Sequence, residues 1–151
     1  IYLGITNDRL QQRPVLIASG SGGMDIEEVA LKSPAQIATL HIDPLLGMRD
    51  YQIRDIAMTI DLPRPFWRPF GEIIYALWKL YIDCDATLAE INPLVITADN
   101  KLIALDAKIT LDEKQTTAAD VDGNGTVNIT DARLILQKAV QKIETFPIEQ
   151  S

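Results

Sequence analysis

Glu90, Asn92, Asp106 and Lys108 are the residues whose types and spacing could do chemistry. Asp106 and Asn92 offer a carboxylate and an amide oxygen, the ligands a hard divalent cation takes while leaving its other positions to water and phosphate. They lie in two runs, Glu90-Ile91-Asn92-Pro93-Leu94-Val95-Ile96-Thr97 and Leu105-Asp106-Ala107-Lys108. Between them Ala98-Asp99-Asn100-Lys101 is turn-forming, and both flanks are rich in β-formers. Side chains alternate along a strand, so Glu90 and Asn92 share one face while Ile91 and Val95 share the other. On the return strand Asp106 and Lys108 fall together, opposite to Ile103 and Leu105. A three-residue loop centred on Asp99 sets Asn92 across from Asp106 and Glu90 across from Lys108. The bland alternative is a two-faced hairpin on which Glu90 and Lys108 make a surface ion pair of little energetic worth.

The elements that must position this ribbon predict an α+β fold with a largely antiparallel sheet and packed helices. Tyr2–Thr6 and Val15–Ser19 read as strands joined by the polar connection Asn7–Arg13. A helix is expected over Asp25–Leu31, capped by Asp25 and acidic in its first turn. Gln36–Ile42 reads as a strand, and Asp50–Ile60 as a helix with Ile53, Ile56 and Ala57 on one side. Asp61-Leu62-Pro63-Arg64-Pro65 breaks it. Phe66 to about Ile82 is the longest helix, with Phe70, Ile73, Ile74, Leu77, Trp78 and Tyr81 at core spacing. Pro93 cannot donate to a ladder, so an edge or a bulge is expected beside the ligand pair.

Composition bounds the function classes. The chain has 151 residues and a net charge of −7, which fits one core with a small appendage and disfavours nucleic-acid binding. No apolar run is long enough to span a bilayer, and no signal peptide is evident. The single cysteine, Cys84, excludes an internal disulfide and reads as a small buried hydrophobe. His41, the single histidine, reads as the outward residue of a strand without a catalytic role. Gly20-Ser21-Gly22-Gly23 lacks the lysine-serine/threonine ending of a Walker phosphate loop.

The wording of the 90–108 segment resembles the succinyl-CoA synthetase β-subunit family of the ATP-grasp superfamily. The likeness continues through Tyr2-Leu3-Gly4-Ile5 with Asp8-Arg9, Pro14-Val15-Leu16-Ile17-Ala18-Ser19, and Gly22-Gly23-Met24-Asp25-Ile26-Glu27-Glu28-Val29-Ala30. Ile42-Asp43-Pro44-Leu45 with Gly47, then Tyr51 with Arg54, follow in family order. The resemblance stops near Leu111-Asp112 and implies that residues 1–113 are the carboxyl-terminal half of an ATP-grasp unit. It implies Mg2+ with ATP or GTP, bound through Asn92 and Asp106. Glu90 is placed near the phosphohistidine of a partner, the α-subunit of a CoA ligase. The family's amino-terminal nucleotide-binding half and its CoA-ligase domain have no counterpart in these residues, so catalysis by the chain alone is not expected.

A second signal begins beyond that point. Asp120, Asp122, Asn124, Thr126, Asn128 and Asp131 fill positions one, three, five, seven, nine and twelve of a calcium loop, with Gly125 at the sharp turn. Ala132, Ile135, Leu136, Ala139, Val140 and Ile143 then recur at helical spacing. The segment 114–151 resembles a single dockerin repeat, a C-terminal calcium loop-helix appendage whose family partner is cohesin. The bland alternative is an Asp/Asn/Gly-rich turn that binds nothing.

Three functions compete on these residues. One is the metal- and nucleotide-phosphate-binding part of an acyl-CoA synthetase. Another is a calcium-dependent interaction module on an ATP-grasp-derived scaffold, and the third is an inactive truncated fusion. The longer resemblance favours a cytoplasmic location, whereas the dockerin-like segment points outside the cell.

Overall fold

The computed structural model describes residues 1–111 together with Val121, Thr130 and Leu134. Strand β1 (Tyr2–Asp8) runs antiparallel to β2 (Arg13–Ser19), and the Asp8 carboxylate closes their turn by accepting the Leu10 and Gln11 N–H groups at 2.8 and 3.1 Å. Helix α1 spans Ile26–Lys32. Asp25 stands at its N-cap position but its side chain makes no cap hydrogen bond; Glu27 and Glu28 supply the negative charge that suits the first turn. A 3-10 turn, Pro34–Gln36, leads into β3 (Ile37–His41).

Helix α2 is Asp50–Thr59, with the Arg49 N–H donating to Gln52 Oε1 at 2.8 Å at its start. Arg64–Phe66 makes a 3-10 turn before α3, Trp67–Asp83. The apolar spacing of both helices turns inward as expected. Ile53, Ile56, Ala57, Phe70, Ile74, Leu77 and Tyr81 are buried, while Ile73 and Trp78 are partly so. Strands β4 (Ala86–Ile91), β5 (Leu94–Ile96), β6 (Leu102–Ala104) and β7 (Ala107–Leu111) complete the described chain.

Five strands form one sheet in the order β3-β2-β1-β4-β7, antiparallel at every pairing, and β5-β6 make a separate hairpin. Helix α3 packs on β4 and β1, and α2 packs on β3 and α3. That face of the sheet carries Leu3, Ile5, Leu16, Ala18, Ala89 and Ile91, each without measurable exposure. Alternation puts Tyr2, Gly4 and Thr6 on the other face, beside Glu90 and Leu88 of β4, and Lys108 beyond them on β7. Among the described residues no helix is long and apolar enough to cross a membrane.

His41 is the outward strand residue the sequence predicts, with Nε2 2.8 Å from Asp8 Oδ2. Cys84 is half-buried and burial pushes its thiol up, away from nucleophilic character.

Candidate metal and phosphate site

The site lies where β4 leaves the sheet. Glu90 pairs with Lys108, and the Asn92 N–H donates to the Asp106 carbonyl at 3.1 Å. The hairpin beyond keeps the same register: Leu94 faces Ala104, Ile96 faces Leu102, and the Thr97 N–H reaches the Lys101 carbonyl at 2.9 Å. The turn is therefore the three-residue loop about Asp99. Thr97 Oγ1 is shared between Asp99, Lys101 and the loop backbone, which holds it closed.

Besides the register shift between Ala86 and Leu88 at the start of β4, strict alternation fails where β4 passes into the hairpin. A regular antiparallel ladder exchanges backbone bonds at every second pair. Here Asn92 bonds to Asp106 and, one pair on, the Leu105 N–H donates to the Pro93 carbonyl at 3.0 Å. The ladder skips a beat, and the apolar set moves by one residue. Leu94, not Val95, continues the buried face of Ile91, being 0% exposed. Ile103 and Leu105, expected on the buried side, are 38% and 59% exposed. The register runs unbroken through Pro93, where an edge or a bulge is expected, but the hydrogen-bonding break there corrects the faces assigned to Val95, Ile103 and Leu105.

On the near side of the skip alternation holds. Ile91 and Ala107 are paired and buried, and Asn92 and Asp106, each one residue beyond its strand, are joined by the Asn92 N–H bond to the Asp106 carbonyl. Asp106 Oδ1 accepts the Ala107 N–H at 3.0 Å, which turns its carboxylate at the strand entry. The donor set suits a magnesium ion: one amide oxygen and one carboxylate on an exposed rim, the remaining shell left to phosphate and water. Among the described residues no group of three or more His, Cys, Asp or Glu side chains is built to hold an ion unaided.

Glu90 is half-buried and faces Lys108 across the ladder, yet among the described residues no ion pair joins them. Its company is instead Tyr2. Gly4 pairs with Glu90, and a Cβ built on Gly4 would fall 2.6 Å from the Tyr2 hydroxyl, so the phenol lies over the bare glycine beside Glu90. Burial holds the Tyr2 hydroxyl well above its ordinary pKa, and the Glu90 and Glu27 carboxylates raise it further. Tyr2 therefore stays a neutral phenol.

Two contacts escape sequence reasoning. The Asn92 side chain is bonded to the Gly23-Met24 backbone, 69 and 68 positions away, and the Tyr2 ring lies over Gly4, the residue paired with Glu90. A glycine at the second strand position after a tyrosine was the one available sign of the latter. The calcium-loop residues Asp120, Asp122, Asn124, Thr126, Asn128 and Asp131 lie outside the described residues.

A profile of the ATP-grasp domain matches residues 1–96. The chain belongs to the ATP-grasp domain family. Its ATP-grasp part is similar to a protein named succinate–CoA ligase [ADP-forming] subunit beta in Thioalkalivibrio sulfidiphilus, 47% identical over 113 residues. That match covers 75% of this chain and 29% of the relative. The protein of the same name in Aquifex aeolicus is 46% identical over 112 residues, covering 74% and 28%. The chain spans less than a third of the length of these curated relatives. Among solved structures, ATP citrate lyase from Methanothrix soehngenii, in complex with citrate and coenzyme A, aligns over 97% of this chain and 28% of its own, at 16% identity and a TM-score of 0.43.

Proposed function

We propose that this ATP-grasp segment is the metal- and nucleotide-phosphate-binding part of a succinate–CoA ligase β-type subunit. Asn92 and Asp106 hold Mg2+ on the phosphates of ATP or GTP. The observation that carries this reading is their backbone pairing two residues along from the Glu90–Lys108 pair, within a stretch 47% identical to a relative of that name. When bound, the ion neutralises phosphate charge and orients the transferring group. The protein's own part is positional. The hairpin fixes the two oxygens, and Tyr2 keeps a protonated hydroxyl beside Glu90, the carboxylate that faces the phosphoryl carrier of an α-type partner. The cytoplasm is the compartment that this nucleotide chemistry fits. Calorimetry of Mg2+–ATP binding tests the reading. The Asn92→Ala/Asp106→Ala variant is expected to bind at least about tenfold more weakly, roughly 1.4 kcal/mol, and unchanged affinity would remove both residues as ligands.

A second function is carried by the oxygen spacing at Asp120, Asp122, Asn124, Thr126, Asn128 and Asp131. That pattern supports Ca2+ binding by a dockerin-like appendage and, through it, a cohesin-like partner. Amide exchange over 120–131 is expected to slow on adding Ca2+ and to recover with EDTA; indifference to both would exclude it.

A further inference from the structure

Asn92 commits both ends of its side-chain amide to one turn. Oδ1 accepts the Gly23 N–H at 2.6 Å, and Nδ2 donates to the Met24 carbonyl at 3.1 Å. The same turn is backed by Ile1. A Cβ on Gly22 would fall 2.5 Å from the Ile1 carbonyl oxygen, and Ile1 exchanges backbone hydrogen bonds of 2.9 and 2.8 Å with Leu94. The connection between β2 and α1 is thus gripped twice by the place where β4 passes into β5, once by a side chain and once by a close backbone approach. It leads directly into α1, whose Glu27 lies within electrostatic reach of Tyr2 beside Glu90.

The oxygen that holds Gly23 is the one assigned to the cation. A divalent ion draws on the electron density of Oδ1, and the positive end of the Gly23 N–H points at the same atom, so the two repel. We infer that Asn92 is a clasp shared between the metal position and the glycine turn: a divalent cation on Oδ1 weakens its bond to the Gly23 N–H and loosens the entry to α1. This rests on Asn92 being a ligand. Linkage makes the effect reciprocal, so a turn moved off Asn92 raises cation affinity. Gly22→Val does this without touching either ligand, because its side chain has no room against Ile1.

The test is nuclear magnetic resonance on the isotope-labelled 151-residue chain. Mn2+ serves as a paramagnetic probe of where the ion sits, and Mg2+ as the ion for amide–water exchange. Mn2+ is expected to broaden the Asn92 side-chain amide and Asp106. Saturating Mg2+ is expected to speed Gly23 exchange about tenfold, towards the rate of ion-free Asn92→Ala. Gly22→Val is expected to bind Mg2+ severalfold more tightly. Broadening at Asn92 and Asp106 with Gly23 exchange unmoved by Mg2+ overturns the clasp and leaves the ligands standing. Mn2+ that reaches neither residue overturns the ligand assignment and the clasp with it. Should Gly22→Val not fold, the exchange rate of wild-type Gly23 decides alone.

Discussion

The Tyr2 hydroxyl occupies the space that a side chain on Gly4 would need, 2.6 Å from where a Cβ would stand. Real Cβ atoms do not approach that closely, so Gly4 is what allows the phenol to lie across the strand towards Glu90. Gly4→Ala is expected to cost about 1–3 kcal/mol as overpacking. A double-mutant cycle in urea checks the cause. The same substitution in a Tyr2→Val background is expected to cost at least about 1 kcal/mol less, and equal costs in both backgrounds would separate the two residues.

The skipped beat at Asn92-Pro93 makes a sharp distinction between neighbours. Leu94 is fully buried and Val95 is not. Leu94→Ala is expected to destabilise by about 2–5 kcal/mol. Val95→Ala should stay below about 1.5 kcal/mol, since its half-exposed side chain leaves little cavity. Denaturant midpoints measure both; similar losses would restore the uninterrupted alternation.

Asp8 carries a pH dependence with a definite sign. The His41 hydrogen bond, then the bonds from Gln11 and Leu10, hold its carboxyl below the ordinary carboxylate range. A carboxyl lowered in the folded state contributes stability above its unfolded pKa and loses it as the pH falls through the folded value. Asp8→Asn is therefore expected to flatten the fall in stability between about pH 5 and about pH 3, a window below the ordinary titration of histidine. Urea midpoints at the two pH values give the slope, and an unchanged slope in the variant would exclude Asp8 as a contributor.

Much of the scaffold was legible from residue order because its determinants are local. Ile53, Ile56 and Ala57, and Phe70, Ile74, Leu77 and Tyr81, recur at helical spacing, and both stretches are helices buried along those residues. The register about Asp99 was legible for the same reason: one short loop sets every pair from Glu90–Lys108 to Ile96–Leu102. Strict alternation did not survive Pro93, where consecutive backbone bonds moved the buried position from Val95 to Leu94. The surface ion pair weighed for Glu90 and Lys108 is not formed, because register alone does not bring two charged ends together. The Asn92–Gly23 bond and the Tyr2–Gly4 overlap depend on tertiary approach and on a missing Cβ, which no spacing rule encodes.

The most direct measurement is a thermodynamic cycle of Mg2+–ATP affinity over Asn92→Ala, Asp106→Ala and the pair. Two side chains on one ion act as a unit, so each single variant is expected to lose most of the affinity and the double little more. Losses that add in full, or single variants that bind as the parent does, would contradict a shared ion at Asn92 and Asp106.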